Sequence, residues 1–284
     1  MPRSVWYPGH MAKGTRKLNE LVSKLDLIVE VRDSRAPVST SSPLIKALAK
    51  IKPVIHVLSR KDLADPDKLN LWLNEFKHAF AADLRNKSGL NSIKKAILKF
   101  KPSHREARLA VVGIPNVGKS LLLNSLINKS SASVGNIPGI TKSVNWYRNE
   151  GLLIVDSPGI LDPHAESGAH LILSWLGCAK ADVVGGFENA ALMLIKFLRV
   201  KNMNNLLPVE FIDEPAGLTL ERIGRRMGCL ISGGRVNYEL AGQKFIEAFS
   251  NGRLGPVCLE TPDSEPAINF SDNISHEAVN FVQE

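Results

Sequence analysis

Cysteine is scarce. The 284 residues hold three, Cys178, Cys229 and Cys258, far apart and odd in number. That argues against a disulfide framework and a cysteine-type zinc site, and three buried thiols are expected instead. Long apolar runs are missing too. No stretch approaches the roughly 18 uninterrupted apolar residues of a membrane span, so no integral membrane association is expected. The opening Met1-Pro2-Arg3-Ser4-Val5-Trp6-Tyr7-Pro8-Gly9-His10 has no apolar signal core and no Arg/Ser-rich presequence character. A cytoplasmic protein is expected ahead of one in an organellar matrix. Aromatic residues make up only 6% and form no RNA-recognition motif. Any RNA contact is therefore expected through shape and backbone rather than base readout.

Basic residues are absent from one region. Residues 259–284 hold six acids and no lysine or arginine, so all 36 basic residues meet 22 acids within 1–258, a net +14. A body that basic suits a polyanion: nucleic acid, a nucleotide or an anionic membrane. A merely basic, soluble surface gives the same count. With 44% hydrophobic and 23% charged residues the chain can build a sizeable core. At roughly 100–200 residues per domain, one large and one small domain fit the length.

The pattern of the first half alternates strands and helices. Apolar, β-branched runs at Leu25–Val31, Pro53–Leu58 and Arg108–Val112 read as buried strands. Helices are expected over 11–24 (basic and amphipathic), 43–51, 67–80, 90–99 and 119–128, and two strands over 143–155 joined at Asn149-Glu150-Gly151. This is an α/β fold with a mainly parallel sheet and helices on both faces. Residues 166–258 read as helices interrupted by Gly-rich turns. The expected division is 1–180 for a nucleotide-binding domain, 181–258 for a small α-helical domain and 259–284 for an acidic, flexible tail.

The strongest motif is Gly113-Ile114-Pro115-Asn116-Val117-Gly118-Lys119-Ser120, a G-x-x-x-x-G-K-S phosphate loop between a strand and a helix. Its glycines let the N–H groups of Val117, Gly118 and the residues up to Leu121 wrap phosphate oxygens at a helix N-terminus. Lys119 can reach the β- and γ-phosphates and Ser120 can ligate Mg²⁺. About 36 residues on, Asp156-Ser157-Pro158-Gly159 closes a strand. Asp156 suits the Mg²⁺ shell, and the Pro158-Gly159 backbone suits the γ-phosphate. Between them, Thr141 in Pro138-Gly139-Ile140-Thr141 is placed to close on Mg²⁺ and the γ-phosphate. Base recognition of the N-K-x-D type is absent from residues 160–284. It occurs upstream instead, as Ser59-Arg60-Lys61-Asp62 at a strand end, with Asp62 as the guanine reader. A helix-capping or surface role for Asp62 stays open.

The order of base motif, phosphate loop, switch threonine and D-x-P-G resembles a circularly permuted P-loop GTPase. Trp6-Tyr7-Pro8-Gly9-His10-Met11-Ala12-Lys13 and Asp33-Ser34-Arg35-Ala36-Pro37 resemble the YlqF/RbgA family, mitochondrial relatives included. The likeness covers residues 1 to about 180; the rest is similar in helical character and length. It implies a GTP/GDP-binding, Mg²⁺-dependent GTPase that assists late maturation of the large ribosomal subunit. The expected partners are a large-subunit precursor and its rRNA, not DNA, and a monomer is expected. It also implies that His10 positions the attacking water, since Ile160 stands where many GTPases carry a glutamine. A packing or RNA-contact role for His10 stays open. Asn116 is implied as a K⁺ ligand, beside a simple turn role. Ser59 stands for an asparagine that contacts guanine and braces the phosphate loop. A hydroxyl replaces part of that, and one lost buried hydrogen bond costs about 0.5–1.5 kcal/mol, so weaker but guanine-directed binding is expected. Ala82-Asp83-Leu84 aligns with the family's base-edge loop, and Asp83 can also be a simple loop acid.

Lys13, Arg16, Lys17 and Lys24, and likewise Arg222, Arg225 and Arg226, suit RNA phosphates or a solvated helix face equally. Two rival readings remain: a P-loop ATPase or small-molecule kinase, and an RNA-binding assembly factor with a degenerate, non-hydrolysing nucleotide site.

Overall fold

The computed structural model describes residues 16, 18, 20–127, 133–134, 146–156 and 167–263. They fall into two compact units, one running to His164 and including Cys258–Asp263, the other Ala165–Val257. The division expected at 180 and 258 is therefore drawn differently. The helical unit starts earlier, and the first residues assigned to a flexible tail are part of the first unit.

The first unit is built on a seven-stranded sheet: β1 Leu27–Asp33, β2 Val54–Ser59, β3 Ala79–Ala82, β4 Ala107–Val112, β5 Ser133–Val134, β6 Trp146–Asn149 and β7 Leu152–Asp156, in the order β3-β2-β1-β4-β7-β6-β5. Strands β3, β2, β1, β4 and β7 run parallel, while β6 is antiparallel to both β7 and β5. Parallel strands buried on both faces need near-continuous apolar runs, which is why β1, β2 and β4 are legible as such. The β6–β7 hairpin turns at Glu150 (φ 43°) and Gly151 (φ 80°), two left-handed residues that match strand twist. Trp146 packs in the core with Ile28, Leu48, Leu153 and Val155, as a hairpin residue rather than an exposed stacking platform.

Helices α1 Ile45–Leu48, α2 Pro66–Glu75, α3 Leu90–Leu98 and α4 Lys119–Leu126 connect the strands. Helix α2 starts where Asp65 accepts from the Asp67 and Lys68 amides with proline in the first turn. The helix expected to continue to Phe80 stops at Glu75. Ala79–Ala82 pairs with β2 instead, because tertiary pairing overrides the weak strand preference of an alanine-rich segment.

All seven residues of β1 are buried, including Glu30, Arg32 and Asp33. Glu30 and Arg32 point to one face, two residues apart, and Arg32 Nε donates to Glu30 Oε2 at 2.7 Å. His56, opposite Glu30 in the ladder, places Nδ1 2.9 Å from the same oxygen. The Ser42 amide donates to Glu30 Oε1 at 2.8 Å. The loop after β1 is fastened by the returning segment Cys258–Glu260. Leu259 N–H donates to the Arg35 carbonyl (2.7 Å) and Trp72 Nε1 to the Glu260 carbonyl (3.1 Å). The Glu260 carboxylate accepts from the Val38 and Ser39 amides (2.7 and 3.0 Å) and the Ser39 hydroxyl. Burial pushes the Cys258 thiol up to about 12, so it is inert.

The second unit is helical among the described residues: α5 Ser167–Trp175, α6 Gly186–Val200, α7 Ala216–Arg226 and α8 Tyr238–Ser250. Helices α6 and α8 approach closely because position 242 is glycine; a Cβ there would lie 2.4 Å from the Phe187 carbonyl oxygen. The core is hydrocarbon: Leu194, Ile195, Leu198, Leu220, Phe245 and Phe249.

Candidate nucleotide site

The motifs converge because of ladder register. Asp33 at the end of β1 lies opposite Ser59 at the end of β2, and Ser59 lies opposite Ala82 at the end of β3. Glu30 lies opposite Val112, and Val111 opposite Asp156 at the end of β7. The base motif, the phosphate loop and the D-x-P-G strand thus leave the sheet from the same carboxyl edge. Open α/β sheets bind ligands at such edges.

Two glycines shape the phosphate loop. Gly113 has φ 154°, and a Cβ there would meet the Val31 carbonyl oxygen at 2.6 Å. Gly118 (φ 102°) caps α4. Asn116 is exposed and left-handed at φ 62°. Lys119 is buried, and its Nζ donates to the Ile114 carbonyl at 2.6 Å, which arches the ammonium back over the loop. Ser120 and Leu121 are exposed in the first turn of α4.

The base motif braces this loop. The buried Ser59 hydroxyl lies 2.6 Å from the Val117 carbonyl oxygen and 2.9 Å from that of Arg32. Arg60, left-handed at φ 56°, reaches the Asn116 carbonyl through Nη2 (2.8 Å) and Asp33 Oδ2 through Nη1 (3.1 Å). In a trans peptide the carbonyl and the next N–H point opposite ways. Holding the carbonyls of Asn116 and Val117 toward the base motif turns the Val117 and Gly118 N–H groups away from it, as an anion cradle requires. The Ser59 hydroxyl thus ties the end of β2 to the phosphate loop.

Asp62 is exposed in the turn after β2, while the cap of the next helix is Asp65. The capping alternative for Asp62 is therefore set aside. Lys61 Nζ donates to Ser88 Oγ at 2.6 Å across the loop that follows β3. Asp83 organises that loop. Its carboxylate accepts from the Arg85 and Asn86 amides and from Asn86 Nδ2, and its own N–H donates to the Ser88 carbonyl. Burial pushes its carboxyl up, but these donors outweigh burial and hold it below the ordinary range.

The Ser120 hydroxyl, in the first turn of the helix that follows β4, and a carboxylate at position 156, at the end of the neighbouring parallel strand β7, are hard oxygen donors of the kind Mg²⁺ takes. Of Asp156 only the backbone is described. His10, Thr141, Pro158 and Gly159 lie outside the described residues, as do Ile160 and half of the basic helix expected over 11–24. In the helical unit, Arg222 is drawn inward: Nη1 donates to Glu214 Oε1 (2.9 Å) and Nη2 to the Glu210 carbonyl (3.0 Å). Arg225 and Arg226 are exposed, with Arg225 paired to Glu221.

Asp33 and Arg35 escaped the sequence reading as site residues. The Arg35 guanidinium clamps Asp33 through Nε (3.0 Å) and Nη2 (2.9 Å), and both side chains have no exposed surface. Burial pushes the Asp33 carboxyl up, but Arg35 and Arg60 hold it below the usual carboxylate range. The available signal was an Asp-x-Arg pair just beyond a run of buried aliphatics.

The family described as 50S ribosome-binding GTPase matches residues 108–206. Ribosome biogenesis GTPase A of Bacillus pumilus is 34% identical over 282 residues, covering 91% of this chain and 99% of its own. That of Bacillus licheniformis is 32% identical over 278 residues, covering 91% and 98%. The GNP-bound crystal structure of YlqF from Thermotoga maritima matches with a TM-score of 0.65 and 27% identity, covering 89% of this chain and all of that one.

Proposed function

The chain belongs to the ribosome biogenesis GTPase A family, and from that premise we propose that its GTP hydrolysis switches docking on a precursor of the large ribosomal subunit. One observation carries the nucleotide half of this reading: consecutive residues of the base motif, Ser59 and Arg60, hold consecutive carbonyls of the phosphate loop. A phosphate loop alone serves many nucleotides. A loop tied to an N-K-x-D-like strand end couples the phosphate grip to a guanine reader, here Asp62.

In this reading the Val117–Leu121 amides and Lys119 grip the phosphates, and Asp62 accepts from the guanine edge. Lys119 exchanges its Ile114 carbonyl for phosphate oxygen, which keeps the buried ammonium partnered in both states. Ser120, Thr141 and Asp156 supply oxygen to Mg²⁺, whose contribution is positive charge against the triphosphate. Thr141 and the Pro158-Gly159 backbone order around the γ-phosphate and relax after hydrolysis. His10 holds the attacking water by hydrogen bonding. Asn116 would offer its side-chain oxygen to K⁺, which would supply positive charge against the triphosphate. The partner is rRNA of the large-subunit precursor, met by exposed basic residues such as Arg225 and Arg226. The chain acts as a monomer in the cytoplasm.

The test is GTP hydrolysis by the full chain, with and without large ribosomal subunits, in K⁺ and in Na⁺. Slow turnover alone and a marked rise with large subunits are expected. Equal rates with and without them would sink the docking proposal. Competition of a fluorescent GDP by GDP, GTP and ATP checks the base: guanine nucleotides are expected to displace it and ATP is not.

A further inference from the structure

We infer that Asp33 is a positioning residue of the nucleotide site, acting on the phosphate loop through Arg60. The inference rests on the guanine-nucleotide reading above and adds to it a residue that contacts neither base nor phosphate.

Asp33 has all the counter-charge it needs without Arg60. Oδ1 accepts from the Arg35 amide and Nε, Oδ2 accepts from Arg35 Nη2, and the pair is fully buried. Yet Arg60 also turns inward to Oδ2, although its side chain is 27% exposed and water lies within its reach. Its backbone sits in the left-handed region at φ 56°, a conformation that persists where surroundings impose it. The inward turn gives Arg60 two fixed ends: Nη1 on Asp33 and Nη2 on the Asn116 carbonyl.

The planar fork of a guanidinium explains why an arginine stands here. It presents donors in fixed directions, so seating one arm on an immobile carboxylate aims the other. A lysine ammonium is a point donor on a flexible stem and does not transmit that direction. The carboxylate is immobile for three reasons. It is in the β1–β2 ladder opposite Ser59, it is clamped by Arg35, and the Arg35 backbone is fastened by the Leu259 amide. The Asp33 amide is also fixed, donating to Thr40 Oγ1 at 3.0 Å. A buried ion pair gives little net stability, since desolvation offsets its attraction, so its return here is geometric. That geometry ends at the peptide whose N–H belongs to Val117.

The experiment is displacement of a fluorescent GDP from the full chain in wild type, Asp33→Asn, Arg60→Met and the double variant, with thermal unfolding alongside. Asp33→Asn is expected to weaken GDP about tenfold, the scale of one charge-assisted hydrogen bond. The double variant is expected to bind no more weakly than Arg60→Met alone, because Asp33 acts only through Arg60. Wild-type affinity in Asp33→Asn, or losses that simply add in the double variant, would overturn the inference. If Asp33→Asn does not fold, Arg60→Lys decides, since it leaves the Asp33–Arg35 pair intact. A weaker GDP affinity in Arg60→Lys supports the inference and wild-type affinity overturns it. A wild type that does not prefer guanine over adenine defeats the underlying reading, and the inference with it. Selective wild type with unaffected variants defeats the inference alone.

Discussion

Strand β1 has an aspartate at each end, and each aspartate holds an arginine, but the two pairs are not equivalent. Asp26, just before the strand, accepts from Arg105 Nη1 and Nη2 at 2.6 and 2.8 Å, with side chains 17% and 29% exposed. Asp33, at the other end, pairs with Arg35 with neither side chain exposed. The chemistry is the same and the cost is not. The first pair keeps much of its hydration and staples the strand to the Arg105–Arg108 segment. The second has given up water, and a buried pair of this kind adds little stability over a hydrocarbon substitute. Its position at the sheet edge, beside the base motif and the phosphate loop, is what distinguishes it. The amino end of the strand is fastened for stability and the carboxyl end for direction.

The comparison breaks most visibly if one arginine is removed at each end. Arg35→Ala leaves a buried carboxylate with the amide of residue 35 and only Arg60 as counter-charge, and losing one partner of a buried pair costs about 3–5 kcal/mol. Urea unfolding should register that loss, and GDP affinity should fall with it because the Arg60 anchor is displaced. Arg105→Ala should cost about 1 kcal/mol or less and leave GDP affinity unchanged. Equal stability losses at the two ends would abolish the distinction.

A smaller effect sharpens it. Ser59→Ala removes the hydroxyl 2.6 Å from the Val117 carbonyl but leaves the Asp33–Arg60 tie in place. One neutral hydrogen bond is worth about 1 kcal/mol, so GDP affinity should drop roughly two- to fivefold, less than in Asp33→Asn. The same isotherms check it. A loss as large as that of Asp33→Asn would make the hydroxyl, not the buried carboxylate, the dominant brace.

How much of this could be read from the residues depended on whether the signal was local. The buried strands β1, β2 and β4 are runs of β-branched residues. The phosphate loop is a fixed spacing of glycine, lysine and serine that backbone geometry demands. Even the displaced Ser59-Arg60-Lys61-Asp62 stands out as a candidate, since it closes a strand upstream while residues 160–284 offer no such motif. What escaped was long-range. Strand β3 is Ala79-Phe80-Ala81-Ala82, whose local preference does not announce a strand, and pairing with β2 decides it. Glu260 looks like one more acid in an acidic tail. Its amide donors, Val38 and Ser39, lie more than 200 residues away in sequence. Asp33 was visible as part of a motif, but its role depends on Arg60 turning inward, which no spacing rule states.

The smallest effect concerns the exposed end and has a definite pH sign. Burial pushes the Asp26 carboxyl up, but the Arg105 hydrogen bonds, the Arg108 amide at 2.8 Å and both positive charges outweigh it. The group is held below its ordinary value of 3.8. A folded-state value below the unfolded one means the unfolded chain binds the extra proton in that interval. The stabilisation is therefore complete above the ordinary aspartate range and is lost as pH falls below it. Asp26→Asn removes the charge but keeps an acceptor oxygen for the Arg108 amide. At pH 7 it should be less stable than wild type by about 1 kcal/mol or less, the scale of a partly exposed pair. Urea midpoints taken downward from pH 5 should converge for the two proteins as the wild-type carboxylate takes up its proton. A gap that stayed constant with pH would mean that the Arg105 contact stabilises through packing alone, and the two ends of β1 would then differ in kind as well as in burial.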